Sequence, residues 1–362
     1  MSLSPVNAPH LYLLVPGDPQ TLTGGYLYDR RIAEGLRALG WQVHVVQLPD
    51  GFPFPSAAAR SQALQQLQQL PDQALVLIDG LALGALPAEA AAHAHRLRLV
   101  GLMHHPLELE TGLDAAQATF LYESERAALH SVRAVIVTSP ETASLLPGYG
   151  VPDERLHIVE PGTDLPVLSV PATHHDGLSL LCVGTVTPRK GHELLLDALT
   201  GLRQLSWQLR CVGSLTRDVA TAASVQLHSQ ALGLRARVEF VGELPDAALK
   251  RLMSTSDLFV QASHFEGYGM ALAEAIAHGL PVISTATGAA SRLVRSDAGA
   301  LVQPGDTAAL QAQLQRALSD PLLLAGWRDG ARKARLSLRS WAAAAGEMAT
   351  ALLPLLPGTG GR

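Results

Sequence analysis

Short apolar runs alternate with longer stretches of mixed polar and apolar residues along nearly the whole chain. In the first half, residues 11–15, 42–48, 74–78, 97–103, 134–138 and 156–159 have the length and apolar content of buried strands. Residues 26–39, 57–70, 115–131 and 141–146 fit helices between them. A second set follows the Pro161-Gly162-Thr163-Asp164 turn and the polar stretch 171–177. Its strands are expected at 179–183, 208–212, 238–241, 258–262, 281–284 and 300–302, and its helices at 192–202, 218–232, 246–253, 270–278 and 307–318. This alternation predicts an α/β protein with two parallel sheets, one in each of two domains. The boundary is expected within 165–177, giving domains 1–168 and 169–337. Two such domains facing each other would leave a cleft for a ligand.

The densest pattern lies in residues 259–285, read as strand, glycine loop, helix, strand. Phe265-Glu266-Gly267-Tyr268-Gly269 precedes an Ala/Leu/Glu-rich stretch that ends at Gly279 and Pro281. Glycines ahead of a helix let a ligand approach bare backbone N–H groups, and the helix start favours a negative group such as a phosphate. Glu274 shares a helix face with Met270 and could accept hydrogen bonds from sugar hydroxyls. A glycine turn entering an ordinary helix would look the same locally.

Three other places carry candidate chemistry. Thr23-Gly24-Gly25-Tyr26 follows the first strand and opens a helix, so the amides of Gly24 and Gly25 can reach an anion. It is not a G-x-G-x-x-G fingerprint. Val183-Gly184-Thr185-Val186-Thr187-Pro188-Arg189-Lys190-Gly191 puts two cations at a loop-to-helix junction, which suits a diphosphate leaving group. Met103-His104-His105-Pro106 ends a strand, and only one of two successive side chains there faces a given side. Glu108 and Glu110 follow nearby.

Composition narrows the classes. The chain has 362 residues, 48% hydrophobic and 16% charged, enough for two sizeable cores. A net charge of −5 gives no bulk reason to bind nucleic acid. Cys182 and Cys211 both sit in apolar runs and read as buried thiols. No apolar run approaches the ~20 residues of a spanning helix, and MSLSPVNAPHLYLL lacks a signal-peptide layout, so a cytoplasmic protein is expected. The apolar stretch 352–356 and the helix 57–70 permit membrane contact without arguing for it. Neither H-E-x-x-H, C-x-x-C, D-x-D, G-x-S-x-G nor G-x-x-x-x-G-K-[ST] occurs, so no metal, serine-hydrolase or NTPase chemistry is expected.

The run FEGYGMALAEAIAHGLPV resembles the E-x7-E signature of retaining glycosyltransferases of the GT-B fold, family 4. The resemblance implies two Rossmann-like domains across a cleft, with a last helix (338–356) crossing back to the first domain and anchored by Trp341. It also implies a nucleotide-diphospho-sugar donor, no metal or other cofactor, and an acceptor of unknown kind. By resemblance Glu266 faces the donor sugar and Glu274 holds the nucleotide ribose. The backbone of Gly267, Tyr268, Gly269, Met270 and Ala271 meets the sugar and diphosphate. Gly24 and Gly25 approach the diphosphate from the other domain, and Val241 to Leu244 flank the base. Gly184 and Lys190 match the family's V-G-R-x-x-x-x-K-G. Thr185 stands where an arginine is usual, and Arg189 is a possible substitute. One histidine near the donor sugar is usual, and register favours His104 over His105. Rival readings are a GT-B-fold sugar phosphorylase or epimerase, and a non-catalytic sugar-nucleotide-binding protein.

Overall fold

The computed structural model describes residues 8–110, 112–168 and 177–357. The chain forms two compact units, Met1–Gly162 with Arg339–Arg362, and Thr163–Leu338. The division falls ahead of the expected stretch 165–177, of which 169–176 lie outside the described residues.

The first unit carries a parallel sheet of six strands: β1 (His10–Pro16), β2 (Gln42–Leu48), β3 (Leu75–Asp79), β4 (Arg98–Met103), β5 (Ala134–Val137) and β6 (Leu156–Ile158). Their order is β2-β1-β3-β4-β5-β6. The second unit carries β7 (Leu178–Val183), β8 (Trp207–Val212), β9 (Val238–Gly242), β10 (Leu258–Gln261), β11 (Val282–Thr285) and β12 (Gly299–Val302), in the order β12-β11-β10-β7-β8-β9. All pairings are parallel. Both orders reverse direction once, between β1 and β3 and between β7 and β10. In open α/β sheets that reversal opens a crevice at the carboxyl ends of the two strands.

The apolar runs become strands because both sheet faces are covered. On β7, Leu180 and Cys182 join one core cluster with Leu195, Leu199, Val225 and Leu314, while Leu181 joins another with Phe259, Leu272, Ile276 and Ala331. A strand buried on both faces loses alternation and reads as continuous apolar sequence. Two differences from the sequence reading concern helices. The expected helix at 141–146 is a single turn, Pro140–Ala143, followed by a separate 3-10 turn at Leu146–Tyr149. Helices at Gly80–Leu83, Pro87–His93, Ala290–Leu293 and Pro321–Ala334 were not expected at all. The last starts where Asp320 accepts from the amides of Leu322 and Leu323, with Pro321 needing no N–H.

The chain returns to the first unit through the helix Trp341–Leu352, capped by Ser340. It packs on the helix Gly24–Ala38 at a point where Gly35 has no room for a methyl group. A Cβ on Gly35 would lie 2.4 Å from Cβ of Ala345. Arg31 lies over the Trp341 ring at 5.4 Å, Tyr28 meets the same ring edge-on at 6.1 Å, and the Tyr28 hydroxyl donates to the Val159 carbonyl at 2.8 Å. Alanine is a better helix former than glycine by about 1 kcal/mol, yet Gly35→Ala is expected to destabilise the chain by about 1–3 kcal/mol through overpacking. Ala345→Gly should cost less in that background than in the wild type. Urea unfolding midpoints check both, and a Gly35→Ala chain as stable as the wild type would contradict this packing.

Candidate functional site

In the second unit the chemistry collects at the ends of β7 and β10, the two strands flanking the reversal. β7 delivers Gly184, whose amide donates to the Val212 carbonyl at 2.8 Å. The Lys190 side chain lies over Gly184, with Cδ 3.2 Å from where a Cβ would stand. Pro188–Lys190 forms a 3-10 turn, and Gly191, at φ +62°, passes so close to the end of β10 that a Cβ would sit 2.0 Å from the Ala262 carbonyl oxygen. Only glycine satisfies both the left-handed backbone and the close approach. The His264 amide donates to the Arg189 carbonyl at 2.8 Å, so the turn and the loop after β10 are held together.

That contact sets up the centre of the site. Glu266 is 7% exposed. Its Oε1 accepts from Lys190 Nζ, Ser263 Oγ and Gln261 Nε2, each at 2.6 Å, and its Oε2 lies 3.4 Å from Arg189 Nη1. Arg189 Nη1 also donates to the Phe265 carbonyl at 3.0 Å. Burial alone would raise the carboxyl pKa, but the charges of Lys190 and Arg189 and the hydrogen bonds from Lys190 and Ser263 hold it down at about 2. Glu266 is therefore an ionised acceptor at neutral pH. It cannot take up a proton there, and what it does is fix two cations.

The loop carrying Glu266 is braced from the other side. Thr285 Oγ1 donates to the Ser263 carbonyl at 2.6 Å, and the Ala289 amide to the Tyr268 carbonyl at 2.9 Å. Gly288, at φ +51°, wedges between the carbonyls of Glu266 and Tyr268. The helix Met270–Ala277 then starts at Gly269, at φ +102°, with no side-chain cap. Tyr268 is buried with Ala273 and Ala289, and Met270 packs against them. Glu274 is half-buried on this helix. Ala271, Val241 and Leu244 pack against the core cluster that holds Val212 and Leu272.

The helix starts differ in a telling way. Helices beginning at 57, 115, 219, 307, 321 and 341 are capped by a Ser or Asp side chain. Those beginning at Gly24, His192 and Met270, next to the glycine motifs, are not. The helices Pro87–His93, Asp246–Thr255 and Ala290–Leu293 are also uncapped, the first with a proline at its start and the second behind Pro245. Uncapped first-turn amides suit an anion.

In the first unit, Gly24 and Gly25 lie in the first turn of the helix Gly24–Ala38. A Cβ on Gly25 would stand 3.2 Å from Cδ2 of His104. His104 follows β4, and its Nε2 lies 3.4 Å from a carboxylate oxygen of Asp29 and 3.4 Å from one of Asp79. Burial would lower the His104 pKa, but the two carboxylates outweigh it and push it to about 10. His105 is engaged elsewhere, with Nε2 2.8 Å from Oε1 of Glu110, and Glu108 accepts from the Tyr149 hydroxyl at 2.9 Å. Asp29, Asp79 and His104 bring one ligand-type atom each within 4.8 Å of one another, a spacing a metal could bridge. The two carboxylates also favour a proton on Nε2, so a proton and a metal would compete for that one position.

Profiles of two families match the chain: Glycosyl transferases group 1 over residues 170–334, and Glycosyl transferase 4-like domain over residues 23–162. The chain belongs to the group 1 glycosyl transferases. Among curated relatives, it is 25% identical to MMP alpha-(1->4)-mannosyltransferase of Mycolicibacterium hassiacum over 69% of this chain and 63% of that one. It is 31% identical to mannosylfructose-phosphate synthase of Agrobacterium fabrum over 57% of this chain and 50% of that one. The matched stretches thus span less than two thirds of either relative. Sucrose-phosphate synthase from Thermosynechococcus elongatus superposes with a TM-score of 0.81 at 22% identity, covering 96% of this chain and 99% of that one. Anabaena HepE in complex with UDP-glucose superposes with a TM-score of 0.73 at 20% identity, covering 95% and 99%. The fold is GT-B. Among the described residues, no helix is long and apolar enough to cross a membrane.

The motifs around Gly184, Lys190 and Glu266 are readable in the sequence, but the side chains that meet them are not. Gln261 and Ser263, which complete the shell around Glu266, and Asp29 and Asp79, which flank His104, were missed. A polar residue at the carboxyl end of a buried strand was the available signal for Gln261 and Asp79. At Thr185, where the family arginine is usual, the side chain is half-buried, and Arg189 joins Lys190 on Glu266. Because Glu266 is depressed from 4.5 to about 2, its stabilising contribution is present above pH 4.5 and lost as pH falls through 2. Glu266→Gln is expected to lower stability at pH 7 by about 3 kcal/mol, with the gap to wild type narrowing toward pH 3. Denaturant unfolding at the two pH values measures it, and a gap that does not depend on pH would count against the ion-pair network.

Proposed function

We propose that the chain moves a sugar from a nucleotide-diphospho-sugar to an acceptor hydroxyl, with retention of configuration. The observation that carries the reading is the Glu266 network, which holds Lys190 and Arg189 beside the uncapped helix start at Gly269. Two fixed cations and a helix start that no side chain caps suit the diphosphate that departs when a sugar is transferred. The chain's similarity to a mannosyltransferase and to mannosylfructose-phosphate synthase supports sugar transfer. The HepE structure, solved with UDP-glucose, supports the donor class.

In this reading the bond between the anomeric carbon and the diphosphate oxygen breaks, and its electron pair moves onto the phosphate. Lys190, Arg189 and the amides of Met270 and Ala271 stabilise that charge as it develops. The acceptor hydroxyl attacks from the face the nucleotide leaves, and its proton passes to the departing phosphate oxygen. Glu266 stays ionised throughout and acts on the sugar by its charge and by keeping the cations in place. Glu274 accepts from the ribose hydroxyls. Within the first unit, Gly24 and Gly25 supply anion-binding amides beside His104.

A thermal-shift screen against UDP-, GDP-, ADP- and dTDP-sugars tests the donor class, since a ligand that binds the folded state raises the melting temperature. One nucleotide series is expected to do so. Lys190→Ala should weaken its binding about 10- to 100-fold, the value of one charge-assisted contact, and Glu266→Gln should lower turnover by about 100-fold. Absence of a shift with every donor, or wild-type turnover in Glu266→Gln, would overturn the reading.

A further inference from the structure

Asp29 is a buried carboxylate with an unusual environment. It is 2% exposed, both its oxygens are enclosed, and among the described residues neither accepts a hydrogen bond. A carboxylate so placed costs several kcal/mol unless a cation faces it. The group facing it is His104, whose Nε2 is likewise enclosed and, among the described residues, without a hydrogen bond; it stands 3.4 Å from Oδ1 of Asp29 and 3.4 Å from Oδ2 of Asp79, at ion-pair distance from both. Asp79 is itself held in place, because its Oδ1 accepts from the Leu81 amide at 2.8 Å and leaves Oδ2 for the ring. Tyr28 meets the imidazole edge-on at 5.4 Å, and Gly25 lies against Cδ2. The His104 carbonyl accepts from Thr138 at 3.3 Å and Thr142 at 3.4 Å. The ring is thus walled on several sides, yet its side chain keeps 20% exposure.

We infer that Asp29 and Asp79 are positioning residues that together clamp the Nε2 edge of His104, presenting its ring as a fixed cation beside the Gly24-Gly25 turn. A neutral ring with its Nε2 lone pair aimed at two carboxylates would be repelled, whereas an N–H at that position attracts both. The functional value of the clamp rests on the sugar-transfer reading: a positive ring next to first-turn amides recognises the charged or hydroxyl-rich part of a donor. Its geometry does not depend on that reading. The charges around the clamp agree with it. Burial and the Asp79 charge raise Asp29 to about 7 against the opposing pull of His104, and His104 rises to about 10. Tyr28, the other titratable neighbour, is pushed up by burial, by Asp29 and by Glu347, with Arg339 opposing, and it stays neutral across this range.

The test uses the full chain labelled with 13C at histidine Cε1, with His104→Gln identifying the His104 signal. Titration from pH 5.5 to 9.5 is run on wild type, Asp29→Asn and Asp79→Asn. Wild-type His104 is expected to keep its imidazolium shift beyond pH 8, and each variant to bring its midpoint down by at least one pH unit. In sugar-transfer assays with the donor found by thermal shift, each variant is expected to lower kcat by about tenfold or more, as loss of an orienting partner commonly does. The alkaline limb of the wild-type kcat profile should move with the NMR midpoint. A wild-type midpoint below 7, or midpoints unmoved in both variants, overturns the clamp. So does a divalent metal that copurifies with wild type and is lost in His104→Gln, because the metal would then stand where the Nε2 proton is placed. Should a variant fail to fold, the wild-type titration still decides. An intact clamp in a chain that transfers no sugar would instead count against the transferase reading.

Discussion

A buried carboxylate must be matched by donors or it unfolds what surrounds it. Glu266 meets that demand with four groups drawn from three places: Gln261 at the end of β10, Ser263 in the loop after it, and the Arg189-Lys190 turn after β7. The requirement runs in both directions. Lys190 and Arg189 are long, mobile side chains that would otherwise lose conformational freedom only when a ligand arrived. Here the carboxylate has ordered them beforehand. The same charge that stabilises the loop also leaves the cations arranged for an anion, so the fold of this region and its proposed chemistry have one physical origin.

The sheet order makes that meeting possible. The loops after β7 and β10 are neighbours only because the order turns back between those strands. Gly191, pressed against the Ala262 carbonyl, and Gly288, pressed against the Glu266 and Tyr268 carbonyls, are the points where backbone must come closer than any side chain allows. The first unit repeats the arrangement with different residues. Asp79 ends β3, the helix carrying Gly25 and Asp29 follows β1, and these are the strands that flank its own reversal. In both units a buried ion pair lies beside a helix start that no side chain caps. One pairs a carboxylate with two cations, the other a histidine with two carboxylates.

Much of this was legible in the chain itself, and the reasons for the rest are physical. Strands read clearly because sheets covered on both faces leave long apolar runs, as in Leu75–Asp79, where every residue is buried. Glycine motifs read clearly because left-handed turns admit few other residues. The helix Pro321–Ala334 escaped because its start rests on Asp320 and a proline, which resemble a loop until the cap is seen. Gln261 and Ser263 escaped because a polar residue after a strand is common, and only the fold reveals that both aim at one oxygen. Asp29 escaped because an acidic residue within a helix normally faces water; His104, which faces it, arrives from a strand far along the sequence. Pattern shows where backbone must go, whereas convergence of side chains depends on which strands become neighbours.

Glu266 and Lys190, joined by the 2.6 Å contact between Oε1 and Nζ, are expected to act on an anion as one unit rather than as separate contributors. A double-mutant cycle on nucleoside diphosphate affinity, using Glu266→Gln, Lys190→Met and the pair by calorimetry, addresses it most directly. Strong coupling is expected, with the double variant binding about as weakly as Lys190→Met alone, since the carboxylate acts through the cation. Independent, additive losses from the two substitutions would contradict it.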